Sequence, residues 1–170
     1  MSVLRPISDE EFATWLETVI PEYAQDKVDS GQWPAESAVE LSRKEYSELL
    51  PQGLNTPKNY IYTVVGSNEE PVGTLWFVDK ERANRRIAYV YDILIRPEHR
   101  RRGHAFRAFN ALEAEATRLG LGGIALHVFG HNHAAQALYR KLGYVATNIN
   151  MFKSLAAPGA EHVGQPEPVP

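Results

Sequence analysis

Three kinds of side chain in this sequence could do chemistry. Arg100-Arg101-Arg102-Gly103-His104-Ala105 is suited to holding an anion, because arginine offers a fork of donors to phosphate oxygens and glycine, lacking a Cβ, lets the backbone come close. Asn132, Ala135 and Tyr139 follow at steps of three and four. At about 100° per residue, Asn132 and Tyr139 lie roughly two turns less 20° apart on a helix, so the three share one stripe. Ala135 keeps that stripe thin enough for a linear ligand, with a carboxamide at one end and a phenol, neutral at pH 7, at the other. Asp92 interrupts an apolar run, as a proton acceptor or as a buried polar residue tied to backbone donors.

The elements around these residues decide what they can reach. Tyr89 to Ile95 is β-branched and aromatic, the pattern of a strand buried on both faces, and Pro97 ends it. Ala105, Phe109, Leu112, Ala116 and Leu119 recur at helical steps until Gly120, which puts the basic run at a helix N-terminus. Unpaired N–H groups and roughly half a positive charge favour an anion there. The alternative is a solvated basic loop before an ordinary helix. Ile124, Leu126 and Val128 then alternate as a strand, Gly130-His131-Asn132 turns it with Asn132 as N-cap, and Gly143 closes the next helix.

The order strand, R-x-x-G-x-A, helix, strand, N-x-x-A-x-x-x-Y-x-K-x-G-aromatic, last strand resembles the acetyl-coenzyme A core of the Gcn5-related N-acetyltransferases over residues 87 to 153. The resemblance implies an α/β (α+β) fold, with a mixed, mostly antiparallel twisted sheet flanked by helices and central strands splayed into a cofactor cleft. It implies acetyl-coenzyme A as co-substrate. Backbone contacts to the thioester and pantetheine arm fall at Ile93, Leu94 and Ile95, and pyrophosphate contacts at Arg100, Arg101, Arg102, Gly103, His104 and Ala105. Further contacts fall at Asn132, Ala135 and Tyr139. Tyr139 becomes the candidate acid for a departing sulfur, against a plain core tyrosine. Asp92 becomes one candidate base, with Tyr89, Tyr91 and His127 as relays. The acceptor is a small-molecule or peptide amine, and a homodimer is compatible with the family. A member that binds coenzyme A without turnover would keep the same phosphate loop.

Composition limits the other readings. At 170 residues, 44% hydrophobic and 23% charged, the chain fits one domain, expected over residues 1–155. It has no cysteine, so thiolate chemistry and disulfides are excluded. No apolar run spans a bilayer and no secretory signal is recognisable, which makes a cytoplasmic location the default and a membrane partner unexpected. Residues 1–50 carry eleven acidic and four basic side chains, and residues 80–118 ten basic and five acidic. The basic centre suits a phosphate-bearing ligand, and the acidic remainder argues against nucleic acid. His127, His131 and His133 lack a nearby carboxylate or cysteine in sequence, so no metal is expected.

Elsewhere, Ser8 and Glu11 have capping-box spacing before a helix, Pro21 marks a restart, and a third helical segment ends near Leu50. Trp15, Tyr23, Trp33 and Tyr46 could line a cationic amine pocket or belong to the core. Strands are expected at Asn59 to Val65 and Val72 to Val78, joined by a hairpin. A polar loop is expected from Asp79 to Arg86, a last strand ending at Met151-Phe152-Lys153, and a disordered tail over 156–170.

Overall fold

The β-branched and aromatic runs build one sheet, and helices cover both of its faces. A computed structural model describes residues 3–155. Its elements are β1 (Leu4–Pro6), α1 (Asp9–Asp29), α2 (Ala38–Leu49), β2 (Asn59–Val65), β3 (Pro71–Arg82), β4 (Arg85–Ile95), α3 (His104–Arg118), β5 (Ile124–Leu126) and α4 (His133–Lys141). The strand order is β1-β2-β3-β4-β5, antiparallel except for the parallel β4–β5 pair. This is the mixed, mostly antiparallel sheet expected. On one face Ala108, Phe109, Leu112 and Ala116 of α3 meet Leu75, Phe77, Ala88 and Val90. On the other, Trp15, Val19 and Ile20 of α1 and Tyr46 of α2 meet Ile61 and Trp76.

Several local expectations are overturned. Helix α1 runs through Pro21 instead of restarting there. The proline removes one helical hydrogen bond at about 3 kcal/mol, but Val19, Ile20 and Ala24 beside it are buried, and each large aliphatic contributes about 1.5–3 kcal/mol. Ser42 Oγ also donates to the Ile20 carbonyl at 2.7 Å, tying α2 to the helix at that point. The segment Asp79 to Arg86 is a hairpin and not a loop, with Arg82 paired to Arg85. Ala83 and Asn84 both take positive φ, 46° and 62°, as a two-residue primed turn demands, and buried Asp79 binds Arg86 across the ladder.

Strand β4 is buried on both faces only as far as Val90; Tyr91 is 36% exposed and Asp92 to Ile95 are half-buried. Strand β5 stops at Leu126 and does not reach Val128. The last strand is absent: residues 144–155 join no sheet, and Val145, Ile149, Met151, Phe152 and Leu155 are exposed. Gly143, at φ 86°, ends α4 with the Tyr144 N–H on the Tyr139 carbonyl, and the chain then leaves without meeting a strand that could supply a ladder. The tail 156–170 lies outside the described residues.

Candidate active site

One extra residue in β4 organises the centre of the molecule. Phe77 pairs with Val90 and Trp76 with Asp92, so Tyr91 has no partner and the strand bulges. A bulge puts two consecutive side chains on one face. Tyr91 stacks on Trp76 with centroids 4.6 Å apart, and Asp92 accepts from Trp15 Nε1 at 3.0 Å. Strand β5 pairs with β4 only at Ala88, Tyr89 and Val90, before the bulge, and beyond it the two strands part.

The gap exposes backbone. The Arg96 N–H bonds the Val72 carbonyl at 2.9 Å, so by strand alternation the backbone of Leu94 also faces β3, while those of Ile93 and Ile95 face the gap. Of the three expected backbone contacts, Ile93 and Ile95 therefore face the gap, with the Ile93 N–H also donating to the Asp92 carboxylate. Leu94 instead sends its side chain into a depression of about 260 Å³ against α1.

Downstream, Gly103 takes φ 77° and caps α3 without a side-chain hydrogen bond. A Cβ on it would sit 3.2 Å from Arg107 Nη1. The first backbone bond into the helix is Arg107 N–H to the Gly103 carbonyl, which leaves the N–H groups of His104, Ala105 and Phe106 without backbone acceptors. The basic run divides its labour. Arg100 Nε turns back to the Ile95 carbonyl at 2.8 Å, Arg101 adopts φ 62°, and Arg101 and Arg102 stay exposed beside the free N–H groups. His104 is buried, its Nδ1 2.9 Å from Arg107 Nη2. Arg107, four residues after Gly103, joins this positive rim and was missed in the sequence.

Asn132 caps α4, its Oδ1 accepting from the Ala135 N–H at 3.1 Å, so only its NH2 group remains for a ligand. Gln136 Nε2 braces the turn before it through the Phe129 and Gly130 carbonyls. Tyr139 is 8% exposed and packs edge-on to Phe109 at 5.4 Å, while its hydroxyl makes no hydrogen bond among the described residues. Burial, with a smaller contribution from the charge of Asp92, pushes that hydroxyl up to about 12.

The site thus combines a splayed parallel strand pair, a naked helix start and a buried tyrosine with a free hydroxyl, and the chain as a whole is similar to known proteins. Residues 17–144 match the model of the acetyltransferase (GNAT) family. The chain belongs to that family. It is 34% identical over 153 residues to the uncharacterized N-acetyltransferase YycN of Bacillus subtilis (strain 168), covering 90% of this chain and 98% of the relative. It is 32% identical to YdgE of the same organism over 89% and 97%. The crystal structure of YycN superposes with a TM-score of 0.86 over 91% of this chain and 98% of that one.

On the α1 side of this GNAT sheet, burial pushes Asp92 up to about 7, opposed by the Trp15 N–H, raised further by Glu22 and Asp26, and lowered by the Ile93 N–H. The residue is half-buried as a whole, yet protein surrounds its carboxyl closely enough that desolvation outweighs both donors. The N-terminal aromatics divide: Trp15 and Tyr46 are core, while Tyr23 and Trp33 carry the chain's own Lys27 at 5.4 Å and 5.1 Å. Any cation attracted to that pair would compete with Lys27. The three histidines do not converge. His131 alone gains carboxylates, from α1, with Nε2 3.0 Å from Asp26 Oδ1 and Asp29 nearby. Among the described residues no helix is long and apolar enough to cross a membrane.

Proposed function

We propose that this GNAT chain transfers the acetyl group of acetyl-coenzyme A to a primary amine, of a small molecule or a peptide, by direct attack in a ternary complex. The observation that carries the reading is the register break at Tyr91, which turns the Ile93 and Ile95 N–H groups away from β3 into the gap where β4 and β5 part. The site fits the co-substrate at three places. The free N–H groups of His104 to Phe106, with Arg101, Arg102 and Arg107, suit the pyrophosphate; the β4 edge suits the amide-bearing arm; and the Asn132 NH2 and small Ala135 suit its passage along α4.

Acetyl-coenzyme A supplies an activated acyl carbon on a thiolate leaving group. A backbone N–H that faces the gap, such as that of Ile95, would stabilise negative charge developing on the acyl oxygen, and a preorganised donor does so most where water is excluded. Tyr139 keeps its proton at neutral pH. A thiol titrates near ~8.5, so full transfer from a phenol at about 12 would run uphill by roughly 5 kcal/mol. Tyr139 therefore stabilises the departing sulfur as a hydrogen-bond donor. Asp92, poised near 7, accepts the amine proton directly or through water once ionised. Mixing the pure protein with acetyl-coenzyme A and a panel of peptides, polyamines, aminoglycosides and amino acids should release free thiol. Coenzyme A binding by calorimetry with no thiol release across the panel would instead select a non-catalytic binder.

A further inference from the structure

Arg100, Arg101, Arg102 and Arg107 lie at the start of α3, and none of them makes an ion pair among the described residues. Arg107 folds back over the helix start. Its Nη1 donates to the Arg102 carbonyl at 3.2 Å, and its Nη2 lies 2.9 Å from His104 Nδ1. A guanidinium has only donors and does not lose its proton, so Nδ1 is the acceptor. The contact therefore fixes the imidazole in its neutral form with the proton on Nε2. A proton on Nδ1 would set two donors against each other.

His104 is buried, and the charged groups that act on it come from three places: Arg107 on its own helix, His99 and Arg102 on the segment before it, and Glu70 on the turn between β2 and β3. Burial, then Arg107 and His99, hold the ring below the ordinary histidine value of 6.5, with Glu70 pulling the other way and Arg102 adding slightly to the depression. An anion at the free N–H groups of α3 changes both sides of this balance. It offers Arg107 charged acceptors in place of a carbonyl and a ring nitrogen, and such charge-assisted bonds are roughly twice as strong as neutral ones. It also brings negative charge to the imidazole, which favours the charged ring.

We propose that His104 and Arg107 couple binding of the coenzyme A diphosphate to the uptake of one proton, an inference that rests on the proposed function. Arg107 Nη2 leaves His104 Nδ1 for a phosphate oxygen, and the vacated Nδ1 takes a proton from solvent. The ring gains a positive charge beside the anion, and apart from that new N–H no covalent bond changes. Affinity is then highest at mildly acid pH and falls as pH rises, because the complex must give up a proton that the free protein does not hold. An uptake averaging about a third of a proton between pH 6 and pH 8 corresponds to about a fivefold loss of affinity across that range.

Calorimetry on the full-length protein reads the uptake from the dependence of binding enthalpy on the ionisation enthalpy of the buffer. The probe is 3′-dephospho-coenzyme A, which carries the diphosphate without the phosphomonoester that titrates near about 6 in coenzyme A itself. Proton uptake is expected at pH 6.5. Nitrogen-15 spectra of the imidazole should show His104 protonated on Nε2 alone in the free protein, with the doubly protonated ring growing in as the probe is added. His104→Asn, whose Oδ1 can replace Nδ1 as acceptor for Arg107 but cannot titrate, should abolish the uptake and flatten the pH dependence. His99→Gln, on the segment before the helix, should keep both. The spectra are taken on the unaltered protein and decide the question even where His104→Asn fails to fold. Binding with no buffer dependence, uptake that survives His104→Asn, or a ring already doubly protonated in the free protein would each overturn the proposal. Failure of both the probe and coenzyme A to bind would instead remove the proposed function, and this inference with it.

Discussion

Asp92→Asn should make this protein more stable at alkaline pH, and the size of the effect follows from where the carboxyl sits. Its ordinary value is 3.8 and burial raises it to about 7 in the folded chain. The folded state therefore binds more protons than the unfolded state between those values, and stability falls as pH rises through that window. The penalty is about 1.5 kcal/mol at pH 5, where the unfolded carboxyl is largely ionised, and about 4 kcal/mol by pH 8, where the native one is ionised too. Asparagine keeps an acceptor for Trp15 Nε1 and cannot ionise. Its new NH2 group can cost about 1–3 kcal/mol if left unpaired, but that cost does not vary with pH. The stability difference between variant and parent should thus move in favour of the variant by about 2.5 kcal/mol from pH 5 to pH 8, or roughly 5–10 °C in melting temperature. Thermal melts of both proteins at four or five pH values measure it. A flat difference, or one moving the other way, would show that Asp92 is not desolvated as described, whatever its catalytic role.

Other perturbations probe the site itself. Tyr139→Phe should lower kcat by roughly 10²-fold while leaving coenzyme A affinity nearly unchanged, read by steady-state kinetics beside calorimetry; equal loss in both would assign the hydroxyl to binding. Trp15→Phe removes the indole donor to Asp92, so the carboxyl should move further up and the rising limb of the pH–rate profile should shift to higher pH. Gly103→Ala places a Cβ at φ 77° beside Arg107, at about 1–2 kcal/mol of strain, and should weaken coenzyme A binding by about tenfold in a calorimetric titration.

The starts of α3 and α4 were legible because their signals are local. The step of apolar residues from Ala105 to Ala116 reports α3, Gly103 reports its cap, and the spacing of Asn132, Ala135 and Tyr139 reports α4. Each depends on hydrogen bonds and side-chain periods spanning a few residues. The bulge at Tyr91 was not legible in the run itself, since an apolar strand reads the same with or without an inserted residue. Ala83-Asn84 gave no hairpin signal because neither residue is glycine, and Pro21 misled because burial around it outweighed the lost hydrogen bond.

By itself, the sequence determined the family, the mixed sheet, the start of α3 at the basic run and the Asn132–Tyr139 stripe on α4. Tertiary structure decided which strand edges face the gap, that Arg100 braces Ile95, and that the C-terminal apolar segment finds no place in its own sheet. It also decided the character of Asp92, whose indole partner lies 77 residues away. Helical period and caps are written in neighbouring residues. Desolvation and strand pairing depend on everything packed around a group, and that packing exists only once distant parts of the chain have met.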